Sequence, residues 1–216
     1  MTVPILEPDQ AQKRAAAAAA AGYDHLKVKA GTDPTADLDR LLAVRAGAPD
    51  AALKLDANQG WTVPETVQFV DRLQDRGLSL ELLEQPVDRD NVSGLARVSK
   101  QVAPPVAADE SLLTPADAIG LVRANAADVL NVKLGKSGLV GAQSIVEIAQ
   151  AANLELMIGC MLESAVGIHA AAHVVAGTGA FSYIDLDGNR LLAADVIEDT
   201  GPTIDIAGPG HGVEPS

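Results

Sequence analysis

Short apolar runs along this chain each end in a charged residue, and the ends recur at nearly constant spacing. His25-Leu26-Lys27-Val28-Lys29, Leu53-Lys54-Leu55-Asp56, Leu80-Glu81-Leu82-Leu83-Glu84, Val106-Ala107-Ala108-Asp109 and Val129-Leu130-Asn131-Val132-Lys133 close at positions 29, 56, 84, 109 and 133, in steps of 24 to 28 residues. A strand, a helix and the two loops that join them need about that length. Leu156 to Cys160 and Tyr183 to Asp185 continue the series, and Thr2 to Leu6 can supply a strand ahead of it. That makes eight strands.

Helix patterns lie between the runs. Pro64 to Arg76 opens at a proline, carries apolar Val67, Val70 and Leu73 on one stripe, and stops at Gly77. Thr114-Pro115 starts another, with Thr114 as the N-cap. Val140 to Ala152 is a third. Strand and helix alternating at this spacing mean parallel βαβ units, closed either as a barrel or as an open doubly wound sheet. An open sheet favours a glycine-rich phosphate loop after its first strand, and none stands there. A barrel aims all its strand ends at one mouth, where the active sites of such folds sit, and the charges fall at those ends. The expected architecture is an α/β barrel over residues 1–190, with 191–216, richer in Gly, Pro and Asp, as a tail packed outside it.

Composition narrows the partners. Apolar residues are 48% of the 216, enough for a core, but aromatics are 2%, so Ala, Val and Leu must fill it with closely packed helices. A net charge of -13 argues against nucleic acid and anionic membranes. The single cysteine, Cys160, allows no internal disulfide and suits a reducing, cytoplasmic setting. Lys13-Arg14 ahead of Ala15–Ala21 superficially copies a leader, but alanine is weakly apolar and Glu7 and Asp9 precede it, so an amphipathic helix is expected.

Asp56, Glu84 and Asp109 end successive strands, one βα unit apart. Single strand-end acids usually cap the next helix. Three in consecutive units can share one ion, and their hard oxygens suit Mg²⁺ with positions left for a substrate carboxylate. Lys27 and Lys29 are two apart and share a strand face, the inward one if the three acids face in. Lys133 ends the sixth strand, across the barrel. Lysines on both sides of a substrate suit a two-base proton transfer, provided burial and nearby cations lower their pKa. Their other role would be to neutralise the acids. Asp185 and Asp187, also two apart, either hold a substrate ammonium or belong to the solvated turn before Gly188-Asn189.

Here a family resemblance becomes specific. Lys27-Val28-Lys29, Leu55-Asp56-Ala57-Asn58-Gln59-Gly60-Trp61, Glu84-Gln85-Pro86, Ala108-Asp109-Glu110-Ser111 and Asn131-Val132-Lys133-Leu134 resemble, in order, the strand-end motifs of the muconate-lactonizing branch of the enolase superfamily. Met157 to Ser164 and Ile184-Asp185-Leu186-Asp187-Gly188 resemble its dipeptide epimerases, the L-Ala-D/L-Glu epimerase group. The resemblance implies a modified (β/α)7β barrel and a Mg²⁺ ion on Asp56, Glu84 and Asp109. It implies inversion at the α-carbon of a dipeptide's C-terminal residue through an enediolate. Lys29 and Lys133 would exchange the proton and Lys27 would bind the carboxylate. Asp185 would take the α-ammonium with Asp187 assisting, and Met161 would line the substrate pocket. Asn58 and Glu110 would stand just behind the ion.

Members of that superfamily carry an N-terminal α+β domain that caps the barrel mouth. The 216 residues start at barrel strand one, so a barrel without this cap is expected, as a fragment, as the product of a shortened gene or with the cap supplied by a partner, its exposed mouth favouring oligomers or instability. Two other outcomes fit the same residues: a muconate cycloisomerase or o-succinylbenzoate synthase-like activity, which would not need Asp185 and Asp187, and a capless barrel without turnover. Other motifs are weaker. His169 and His173 lack the Glu of an H-E-x-x-H pair, since Ala170 stands there. Gly135-Lys136-Ser137 lacks the leading glycine of a P-loop, Leu130 being in its place. Cys160 is read as pocket wall, and Trp61 as pocket mouth or packing.

Overall fold

Period-two alternation in the apolar runs produces strands whose two faces have different tasks. In the computed structural model, which describes residues 1–197 and 202–206, the strands are β1 (Thr2–Val3), β2 (His25–Lys29), β3 (Ala52–Asp56), β4 (Leu82–Glu84), β5 (Val106–Ala108), β6 (Val129–Val132), β7 (Glu155–Ile158) and β8 (Tyr183–Ile184). All pair in parallel, in sequential order from β1 to β8. The helices are α1 (Pro8–Ala20), α2 (Pro34–Gly47), α3 (Val63–Gln74), α4 (Val92–Gln101), α5 (Pro115–Ala124), α6 (Leu134–Ala151) and α7 (Ala165–Thr178). The sheet curls as the expected α/β barrel. No ladder joins β8 to β1 among the described residues. That seam is bridged by Asp187, whose carboxylate accepts from the Thr2 backbone N–H and, at 3.0 Å, from the Thr2 hydroxyl.

Outward residues such as Leu26, Val28, Leu53, Leu55, Leu130 and Ile158 pack under the helices in the main core. Burying each large aliphatic side chain contributes about 1.5–3 kcal/mol. The poverty in aromatics shows where α1 meets α2. Buried Ala11, Ala15 and Ala18 let the helices approach until a Cβ on Gly47 would stand 2.3 Å from the Gln12 carbonyl oxygen. The interior of the barrel holds a second, small apolar cluster of Leu82, Ala107, Val129 and Met157, with Tyr183 against it. Trp61 is a packing residue: it is 4% exposed and its ring lies 4.5 Å from that of Phe69.

The expected elements are mostly in place, with shortened ends. β1 covers two of the five residues expected, and the charged ends Asp109 and Lys133 fall just past their strands. The largest difference is α6. The pattern from Val140 is the regular helix, but an extra turn, Leu134–Ser137, precedes it across a break at Gly138 (φ 65°). A residue with a Cβ is strained at that φ, so the break falls on glycine. Of the segment expected as a tail, residues 198–201 and 207–216 lie outside the described residues. In its described part the Asp195 carboxylate accepts from the Ala165 N–H at the start of α7, and Ile197 is buried. α5 begins as expected, with a reciprocal cap between Thr114 and Asp117. Thr114→Ala is expected to cost about 1 kcal/mol, read as a fall of roughly 2–4 °C in Tm.

Candidate active site

Strand register places the charges. Lys29 pairs with Asp56, and Asp56 with Glu84, so these ends are level along the barrel mouth. Asp109 lies two residues beyond Ala107, the register partner of Glu84, and so shares its inward face. Asp56, Glu84 and Asp109 are buried, and one oxygen of each lies within 4.8 Å of the others.

Lysines surround this triad. Lys27 Nζ lies 3.0 Å from Asp56, 2.8 Å from Glu84 and 2.8 Å from Asp185. Lys29 Nζ is 2.7 Å from Asp56, on one flank. Lys133 Nζ is 2.6 Å from Asp109, on the other. Burial works against the charge on Lys27, but the three carboxylates outweigh it and its pKa rises well above the ordinary lysine value. Lys133 also ends up raised, because Asp109 outweighs burial. Burial alone would push Asp56 and Asp109 up. Lys27 and Lys29 hold Asp56 below the usual carboxylate value, and Lys136 and Lys133 hold Asp109 well below it. Glu84 goes the other way: burial, then the Asp56 charge, push it up to about 8. Asp185 is held low by Lys27 against its burial.

Seven of the expected residues thus form one cluster: Lys27, Lys29, Asp56, Glu84, Asp109, Lys133 and Asp185. It opens into a cavity of about 450 Å³ whose wall includes Cys160, Met161 and Leu162. Asn58 Nδ2 and Glu110 Oε1 lie 3.3 Å apart beside the triad, and the Asn58 N–H donates to Asp56. Asp187 reaches the cavity wall, but its carboxylate is occupied by Thr2. Met161 is half exposed at the cavity wall. His169 is buried on α7, outside the acidic cluster. Burial raises the Cys160 thiol to about 11, which suits a wall residue and not a nucleophile.

Three residues without an assigned role in the sequence reading hold the triad in place. Lys136, on the extra turn of α6, donates to Asp109 Oδ1 at 2.7 Å, to the Asp109 carbonyl at 2.8 Å and to the Asn131 carbonyl at 3.1 Å. Its distance of three residues from Lys133 is the signal, usable only once residue 134 is known to start a helix. Gln85, in a positive-φ conformation (33°), accepts from the Asp109 and Ser111 N–H groups and donates to the Val87 carbonyl and the Ser111 hydroxyl. It locks the loops after β4 and β5 together. Asn131, fully buried, donates to Glu84 Oε1 at 2.9 Å.

The donor set fits a hard divalent cation. Three carboxylates converge, and the buried Glu84 Oε2 has no hydrogen bond, only the Lys27 ion pair at 2.8 Å. Among the described residues no helix is long and apolar enough to cross a membrane.

The enolase C-terminal domain-like family pattern matches residues 10–216. The L-Ala-D/L-Glu epimerase of Bacillus subtilis is 38% identical over 98% of this chain and 60% of its own length. The structure of a substrate-liganded complex of that epimerase superposes with a TM-score of 0.94, at 37% identity, covering 98% of this chain and 61% of the other. The dipeptide epimerase from Enterococcus faecalis V583, complexed with Mg and the dipeptide L-Leu-L-Tyr, gives a TM-score of 0.87 at 39% identity, covering 91% of this chain and 56% of that one. The chain therefore spans about 60% of the length of the first curated relative. A match over nearly all its residues, on a barrel that brings the same strand ends together, makes the chain a member of the enolase C-terminal domain-like family.

Proposed function

We propose that this chain carries the catalytic barrel of a Mg²⁺-dependent isomerase, which inverts the α-carbon of the C-terminal residue of a dipeptide by two-lysine 1,1-proton transfer. The observation that carries it is the flanking of one buried Asp-Glu-Asp triad by Lys29 on the Asp56 side and Lys133 on the Asp109 side. The names of the relatives, dipeptide and L-Ala-D/L-Glu epimerases, support the substrate class.

Asp56, Glu84 and Asp109 would hold the cation, which when bound stabilises negative charge on the substrate carboxylate. The chain's own residues do the rest. Lys27, kept charged by its carboxylate neighbours, donates hydrogen bonds to the carboxylate oxygens where charge develops. One of Lys29 and Lys133 takes the α-proton, and the other returns a proton to the opposite face, so that protons balance and the centre inverts. With a cation held by Asp109, the charge of that carboxylate would be shared and would raise the Lys133 pKa less. The Asp185 carboxylate on the cavity wall is the group suited to the α-ammonium of a dipeptide, and it favours that substrate over a cycloisomerase or synthase substrate without an amine.

The test is proton NMR of the chain with Mg²⁺ and a small set of L,L-dipeptides in D₂O. Loss of the α-proton signal of the second residue together with a new diastereomer is the expected result. A folded, Mg²⁺-binding sample that exchanges no dipeptide α-proton would sink the proposal. Asp185→Asn is expected to raise KM for free-amine dipeptides by roughly 10- to 100-fold, the loss of a charged hydrogen bond, measured by the same exchange rate at varied substrate.

A further inference from the structure

Among the buried ionisable groups, Lys54 has no place in this chemistry, and it is an expensive residue to keep. It lies inside the barrel, its side chain 5% exposed, on the inward face of β3 two residues below Asp56. Its register partners are Lys27, a like charge, and Leu82 of the interior apolar cluster. Apolar side chains fill the interior beside Leu82, at Ala107, Val129 and Met157. Glu81, the nearest carboxylate in an ion pair with it, is 3.9 Å away. A buried ammonium so weakly paired costs stability unless its protein contacts offset the loss of water.

Those contacts run along β8. Lys54 Nζ donates to the Ile184 carbonyl at 3.2 Å and stands 5.9 Å from the centre of the Tyr183 ring. Its charge also stabilises the carboxylate of the next residue, Asp185. β8 needs such a tie. It has two residues and, among the described residues, a ladder on its β7 side alone, followed by the Asp185 N–H to Ile158 carbonyl bond. On the other side lies the seam to β1, where among the described residues no ladder forms and the Asp187 side chain reaches Thr2.

We propose that Lys54 is a positioning residue that straps β8 across the open seam, fixes Asp185 in the cavity, and so sets the affinity for the ammonium end of the substrate. The part concerning affinity rests on the assignment of Asp185 as the ammonium-binding group; the strap itself does not.

The experiment compares Lys54→Met and Lys54→Arg with the unsubstituted chain by three readouts: amide hydrogen exchange at residues 183–187, Mg²⁺ affinity by calorimetry, and KM and kcat for a free-amine L,L-dipeptide. Lys54→Met is expected to speed Asp185 amide exchange and raise KM roughly tenfold, the scale seen when a supporting shell is removed. Mg²⁺ affinity and kcat should stay within about threefold, because ligands and bases are untouched. Lys54→Arg, which keeps charge and donors, should restore KM. Unchanged Asp185 exchange, or a loss of Mg²⁺ affinity equal to the rise in KM, overturns the proposal. If the unsubstituted chain takes no dipeptide, the ammonium assignment fails and amide exchange alone decides the strap. Should Lys54→Met not fold, Lys54→Gln, which keeps a donor for Ile184 but not the charge, is judged by the same readouts.

Discussion

Lys133→Ala is expected to lower the rate of epimerisation by roughly a thousandfold, the usual weight of a positioned acid–base group. The two-lysine proposal makes the pattern of loss more telling than its size. Lys29 remains on the Asp56 flank, so α-proton exchange in D₂O should survive in at most one of the two diastereomers, without interconversion. Lys133→Arg should not rescue, because a guanidinium holds its proton at any working pH. Asp109 keeps Lys136 in the variant, so the fold should tolerate the change. Exchange surviving in both diastereomers, or a substantial rescue by arginine, would mean that Lys133 only balances charge.

Asp109→Asn is expected to have the largest effect on stability. The carboxylate is the shared partner of Lys133 and Lys136, whose side chains are 9% and 11% exposed. An amide of the same shape leaves both cations without an anion, and breaking a buried pair this way costs about 3–5 kcal/mol. For a chain of this size that is a fall of roughly 6–20 °C in Tm. Since the Asp109 carboxyl is held below its ordinary value, its contribution is complete above the unfolded-state pKa and is lost as pH falls through the folded one. The variant should therefore lack that part of the acid-induced loss of stability. Mg²⁺ affinity should drop at least roughly 100-fold, beyond what supporting groups alone contribute. A melt unchanged from the parent would show that Lys133 and Lys136 find water or other partners, and that the buried network is not what holds this end of the barrel.

The site was unevenly legible. Residues at strand ends could be located because each is tied to a local pattern, an apolar run stopping at a charge. Lys136 could not, because its reach to Asp109 depends on a helical turn that ends at Gly138 and begins six residues before the regular pattern. Lys54 read as one more charge inside a run. Its burial and its contact with Ile184, 130 residues away, depend on barrel closure. Spacing pairs Asp187 with Asp185 as its assistant, two residues away on the same face, yet the Asp187 carboxylate is taken up by Thr2 at the seam.

Local spacing determined the alternating parallel βαβ units and the acids and lysines at their strand ends, because strand period and helix length are short-range properties; the charges shared by those ends, with no glycine-rich loop after the first strand, pointed to a barrel. Tertiary structure alone decided which lysine pairs with which acid, why Glu84 rises to about 8 while Asp109 falls, and that Asp187 spans the β8–β1 seam, where no ladder forms among the described residues. Those outcomes turn on burial and on distances of about 3 Å between residues far apart in sequence, where Coulomb and desolvation energies change most steeply.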